Sequence, residues 1–138
     1  VARDNRFLYF YVECAEKLTS EKDPNWMMLF IDIDRDKSTG WYGYDYIVNR
    51  KSPTSGKVIV EKNVGDRWEW KEVEKSSYVV KNNRLEIQID REILDMEGKT
   101  VDFEFKWNDN MQENGNIMDF YVNGDTAPGG RFNFVYTE

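Results

Sequence analysis

Apolar and polar residues alternate with period two along almost the whole chain, and that periodicity leaves little room for anything but β-strands. The pattern predicts strands over 7–13, 26–33, 43–50, 57–62, 68–74, 77–80, 84–90, 101–107, 117–122 and 132–136. Between them lie the polar or Gly-rich turns "KSPTSG", "NVGD" and "KNN". Only "DREILDM", with Asp90 as N-cap, reads as helical, and "CAEKLTS" as a turn of helix. Many short strands with frequent turns predict an all-β, antiparallel β-sandwich of jelly-roll type. With 138 residues the chain suits one domain with a real core. The opening "VARDNRFLYFYVE" reads as the tail of a strand, an Asp4-Asn5 turn and a full strand, as expected of a C-terminal module cut from a longer polypeptide.

Parity assigns the faces. Val101, Phe103, Phe105 and Trp107 share a core face, which sends Asp102, Glu104 and Lys106 to the wet side. Leu29, Ile31 and Ile33 point together, as do Tyr44, Tyr46 and Val48, so Phe30, Asp32 and Asp34 lie on the opposite side.

Composition removes several function classes. Histidine is absent and Cys14 is the only cysteine, which excludes His-dependent catalysis, imidazole zinc sites, His-ligated haem, an intrachain disulfide and a thiolate cluster. A net charge of -7 disfavours nucleic acid and anionic membranes. No apolar run approaches a membrane-spanning length, so membrane insertion is not expected.

The stretch "FIDIDRDKSTGWYGYDY" crowds Asp32, Asp34, Asp36 and Asp45 into one corner. A hairpin that sets Ile33 beside Tyr44 puts Asp32 opposite Asp45, and two opposed carboxylates repel unless something positive lies between them. Calcium, which takes six to eight oxygen ligands in flexible geometry, suits that set of four. The corner is no EF-hand, since Lys37 and Gly43 stand where such a loop needs Gly and Glu. A solvated acidic loop, neutralised by Arg35, Lys37 and Arg50, is the other reading. Catalysis by paired carboxylates is disfavoured, because neighbours on one hairpin form one wall and cannot flank a glycosidic bond.

Trp41 and Tyr42 follow the Gly40 turn and are candidates for stacking on a pyranose ring, or for covering the loop. Trp68 and Trp70 share a face and read as core or sheet-face packing, with a ligand platform as the alternative. Trp107 ends an apolar face but leads into Asn108, Asp109 and Asn110, polar groups able to bond sugar hydroxyls. Arg131, after "APGG", offers a fork of donors to sugar hydroxyls or to Asp125.

The segments "WMMLFIDIDRDKSTGWYGYDYIVNR", "FEFKWNDN" and "DFYVNGDTAPGGRFNF" together resemble domains similar to family 9 carbohydrate-binding modules. The likeness covers nearly the whole chain. It implies a jelly-roll sandwich, structural calcium, and sugar held by aromatic rings with nearby amides and carboxylates. It also implies a non-catalytic, monomeric module of a secreted, periplasmic or cell-surface polysaccharide-processing protein, of the kind found in gut Bacteroides-type bacteria. The expected partners are a polysaccharide or oligosaccharide and other domains of the parent chain. A structural or interaction sandwich that packs on a neighbouring domain without binding sugar is the alternative.

Overall fold

The structure is a computed structural model that describes residues 1–123 and 125–138. Its strands are β1 (Ala2–Arg3), β2 (Phe7–Glu13), β3 (Met28–Asp32), β4 (Tyr46–Val48), β5 (Lys57–Asn63), β6 (Trp70–Lys81), β7 (Arg84–Asp90), β8 (Asp102–Asp109), β9 (Asp125–Ala127) and β10 (Phe134–Thr137). They form one antiparallel sheet in the order β1-β2-β7-β6-β5-β4-β3-β8-β10, with β9 beside the far end of β8. The sheet curls over until β2 faces β8, where Phe10 lies 5.6 Å from Phe103 and 5.7 Å from Phe105. The fold is therefore an all-β antiparallel sandwich of jelly-roll type. Its first and last strands meet through an ion pair between Arg3 and Glu138.

The principal core fills the space inside the curl. It takes alternate residues from each strand, among them Leu8 and Phe10, Leu29 and Ile31, Leu85 and Ile87, Phe103 and Trp107. A second, smaller core lies on the outer face of β3 and β4. It gathers Met28, Phe30, Trp41, Tyr44, Ile47, Met111 and Phe120, with Trp68 and Trp70 against it. β3 is buried on both faces for this reason, and it reads as a nearly continuous apolar run.

Several expectations are corrected. Segments 68–74 and 77–80 belong to one long strand, β6, which bulges opposite Val60 and Glu61 of β5. Segment 117–122 forms no strand but the single helical turn α1 (Asp119–Val122). The buried Asp119 carboxylate fixes it by accepting from Gln112 N at 2.9 Å and Asn123 Nδ2 at 3.1 Å. "DREILDM" is a run of turns, not a helix. Asp90 caps Glu92 N at 3.0 Å, but Arg91 points inward and donates to the backbone oxygens of Lys99 and Met96. "CAEKLTS" contains no helix either.

The face expected to be wet on β8 is also corrected. Lys106 is fully buried, because the chain returns over it and offers the carbonyls of Pro128 and Phe132, each 2.6 Å from Nζ. The Phe120 ring lies 5.4 Å below the same ammonium, and burial pushes its pKa down to about 8.

Candidate functional site

The acidic corner has the expected register. Leu29 pairs with Val48 and Ile31 with Tyr46, and the next position is completed by Asp45 N donating to Ile31 O at 2.9 Å. Asp32 and Asp45 are thus neighbours. Together with Asp34 they bring three carboxylates to within 4.8 Å of one another. Asp36 is not one of them, since its Oδ1 is taken by the Ser38 N–H at 2.8 Å and hydroxyl at 2.6 Å. Tyr44 leaves the principal core for the second one, because left-handed backbone at Tyr42 and Gly43 breaks the alternation.

A lysine supplies positive charge here. Lys37 Nζ sits 2.6 Å from Asp32 Oδ2 and 2.5 Å from Glu104 Oε2, and Arg35 reaches Glu104 and Asp102. Arg50, in contrast, is spent elsewhere, on a bidentate pair with the buried Glu61. Burial raises the Asp32 carboxyl even against the Lys37 ammonium. Asp45 forms no ion pair with that ammonium among the described residues, accepts Ile33 N at 2.9 Å, and is pushed up by burial and by Asp34 and Asp32 to about 6. Such a group gains from any cation that lets it ionise. Gly43 is required for the approach, since a Cβ there would lie 2.9 Å from Lys37 Cδ and 3.2 Å from Asp32 Oδ2.

The candidate sugar-contacting residues are dispersed. Trp41 is only 3% exposed, with Trp68 at 4.6 Å, Phe30 at 5.7 Å and Phe120 at 5.9 Å, so its ring has no open face for a pyranose. Tyr42 is 58% exposed and stands edge-on to Trp41. Arg131 lies over the Phe132 ring at 5.6 Å, and no ion pair among the described residues joins it to Asp125.

Trp107, Asp109 and Asn110 are brought together. They line a cleft of about 1100 Å³ that opens at one end of the sandwich, between the end of β2 and β9. Asp109 is oriented by accepting Met27 N at 3.0 Å, and Asn110, in left-handed backbone, is held on the cleft wall by its N–H on Asn25 O at 3.0 Å. Trp107 is only 4% exposed, which leaves little of its ring for stacking. Asn108 points to the opposite side of β8, where it is fully buried and neither amide atom finds a partner among the described residues.

Trp26, Lys17 and Asp125 also stand on the walls of this cleft, and nothing in the sequence pattern singles them out for it. Trp26 carried no distinctive signal, as it opens an apolar run. Asp125 is set across from Asp109 by the β8–β9 register, a pairing of segments that alternation does not reveal. No known protein family, curated protein or solved structure matches the chain.

Proposed function

We propose that the domain is a non-catalytic carbohydrate-binding module that holds a neutral glycan at the loop-lined mouth of the cleft. The observation that carries this reading is the convergence of Trp107, Asp109 and Asn110 on one open cavity. Its size falls near the upper end of small-molecule sites, and it combines apolar walls with a few oriented polar groups. Asp109 and Asp125 are cross-strand neighbours on one wall. That placement favours hydrogen bonding to hydroxyls over hydrolysis, which needs carboxyls on both sides of the scissile bond. Asp32, Asp34 and Asp45 would hold a structural calcium far from the sugar. The resemblance to family 9 modules favours the same assignment and a secreted parent protein.

Calorimetry against neutral oligosaccharides, with calcium present, tests it. The expected Kd is about 10–1000 μM, because a largely buried ring and exposed hydrogen bonds leave little after ordering costs. Asp109→Asn, which keeps an acceptor for Met27 N, and Asn110→Gly, which suits the left-handed backbone, should each weaken binding about tenfold with little change in melting temperature. Absence of binding across a broad glycan panel would discard the reading.

A second reading, a sandwich that packs on a neighbouring domain, is favoured by one surface. Phe132 is 64% exposed, and Phe134 and Val135 of β10 are exposed beside it. Glycan silence together with association through these residues would support it.

A further inference from the structure

Part of the outer cover hangs from one side chain. The segment that returns over β8 is held at its near end by β9, whose Ala127 pairs with Trp107. At its far end β10 takes over, helped by Asn133, which accepts from the Tyr44 hydroxyl at 2.6 Å and donates to Glu104 Oε2 at 2.9 Å. Residues 128–132 lie between these anchors and outside any strand. Among the described residues, the hydrogen bonds that tie them down are the two from Lys106 Nζ, to Pro128 O and Phe132 O. Lys106 is 0% exposed, yet no carboxylate pairs with it among the described residues. The charged groups around it are engaged elsewhere. On β8 Glu104 accepts from Lys37 and Asn133, and on β3 Asp32 accepts from Lys37 and from Arg35 N. On α1 Asp119 accepts from Gln112 and Asn123, and Tyr121 is exposed. Asp125 of β9 faces the cleft with Asp109, and Arg131, within the segment itself, lies over the Phe132 ring. Burial keeps the Tyr44 phenol protonated well above its ordinary range. Shutting this strap therefore places an uncompensated charge in an apolar layer, a cost that vanishes when the proton leaves. The neutral amine still has two N–H groups, one for each carbonyl.

We propose that Lys106 is a proton-operated latch on this strap: its ammonium form lets residues 128–132 swing off the outer core, and its neutral amine holds them shut. With the strap shut, Lys106 loses its proton near pH 8. With the strap away, water surrounds the group and the proton leaves near the ordinary lysine value of about 10.4. The open form thus binds the proton more tightly, and the shut form gains population as pH rises from 8 towards 10. The latch guards the outer aromatic layer. Phe120 lies 5.4 Å from the Lys106 ammonium, and its ring in turn meets Phe30 at 5.1 Å, Trp41 at 5.9 Å and Tyr44 at 6.1 Å. Release of the strap is therefore the first step in uncovering that layer, and it is favoured on the acid side of pH 8. The strap lies on the side of β8 away from Asp109 and the cleft, so the latch does not rest on the carbohydrate reading.

Two measurements on the whole chain test the latch. Carbon NMR of the lysine Cε signals follows the Lys106 titration directly, and a midpoint near pH 8 is expected. Tryptic cleavage after Arg131 reads the open strap, because a protease needs several residues free of the sheet and cuts in proportion to the open population. Normalised to an unstructured peptide carrying the same Arg-Phe bond, the wild-type cleavage rate should fall about tenfold between pH 7 and pH 9.5. In Lys106→Met, which has no proton to lose, the normalised rate should not change with pH. A Lys106 midpoint above pH 10 overturns the proposal. So does a wild-type rate that stays level or rises with pH, or the same fall in Lys106→Met. The midpoint needs no variant, and Lys106→Gln, also without a titrating group, replaces Lys106→Met if that chain does not fold.

Discussion

Asp45 is where the chain's acidic balance becomes a local stress. Its carboxyl titrates at about 6 in the folded protein, against roughly 3.9 in an unfolded chain. The folded state therefore holds this proton more tightly, so the group's contribution to stability is full below about pH 4 and is lost as pH rises through 6. At pH 7.5 in chelator, Asp45→Asn should raise the melting temperature by about 3–5 °C. The gain is modest because Asp45 keeps partial contact with water. Calcium should stabilise the wild type at pH 7.5, by about 2.7 kcal/mol at a hundredfold excess over Kd, and should lose its effect below pH 6. Asp45→Asn should blunt that response. Scanning calorimetry at several pH values reads all of these, and melts indifferent to calcium would remove the ion from the corner. The opposition of Asp32 and Asp45 was legible in the sequence because parity and one turn set the register. The role of Lys37 was legible only as nearby charge. That its ammonium joins Asp32 to Glu104 depends on β3 lying beside β8, a pairing between segments more than seventy residues apart.

Single strands were the most readable elements. The bounds of β2 and β7 coincide with their apolar alternation, and Asn82 takes the left-handed backbone that "KNN" suggested. What alternation missed was the outer layer. The chain after β8 folds back over β3 and β4, which buries Phe30 and Lys106 on the side that parity sets opposite the core. A period of two says which residues share a face, not whether a later segment covers it. The loop that brings Trp41 under this cover depends on one glycine. Gly40 has φ +62°, and a Cβ there would lie 2.2 Å from the Tyr44 carbonyl oxygen. That oxygen also accepts Trp41 N at 2.9 Å, so it cannot retreat without releasing the turn. Gly40→Ala should therefore cost more than about 2 kcal/mol in denaturant unfolding, whereas Gly56→Ala, with nothing near its Cβ, should cost only its backbone strain. Equal losses at the two positions would contradict this account of the loop.

Across the whole molecule, the five tryptophans divide between the two cores. Trp26 and Trp107 belong to the principal core, and Trp41, Trp68 and Trp70 to the outer one. The outer three are in ring contact: Trp41 and Trp68 are 4.6 Å apart at an interplanar angle of 71°, and Trp68 and Trp70 are 5.4 Å apart at 86°. Indole rings this close exchange excitation, and rings set out of plane with each other absorb left and right circularly polarised light unequally. The outer layer therefore carries its own optical signature, an exciton couplet, while the inner pair contributes ordinary indole emission. Trp68→Phe should abolish the couplet and leave the emission of Trp26 and Trp107 in place. Followed through a thermal melt, the two signals would show whether the covering segment departs before the sandwich opens or the two layers unfold as one.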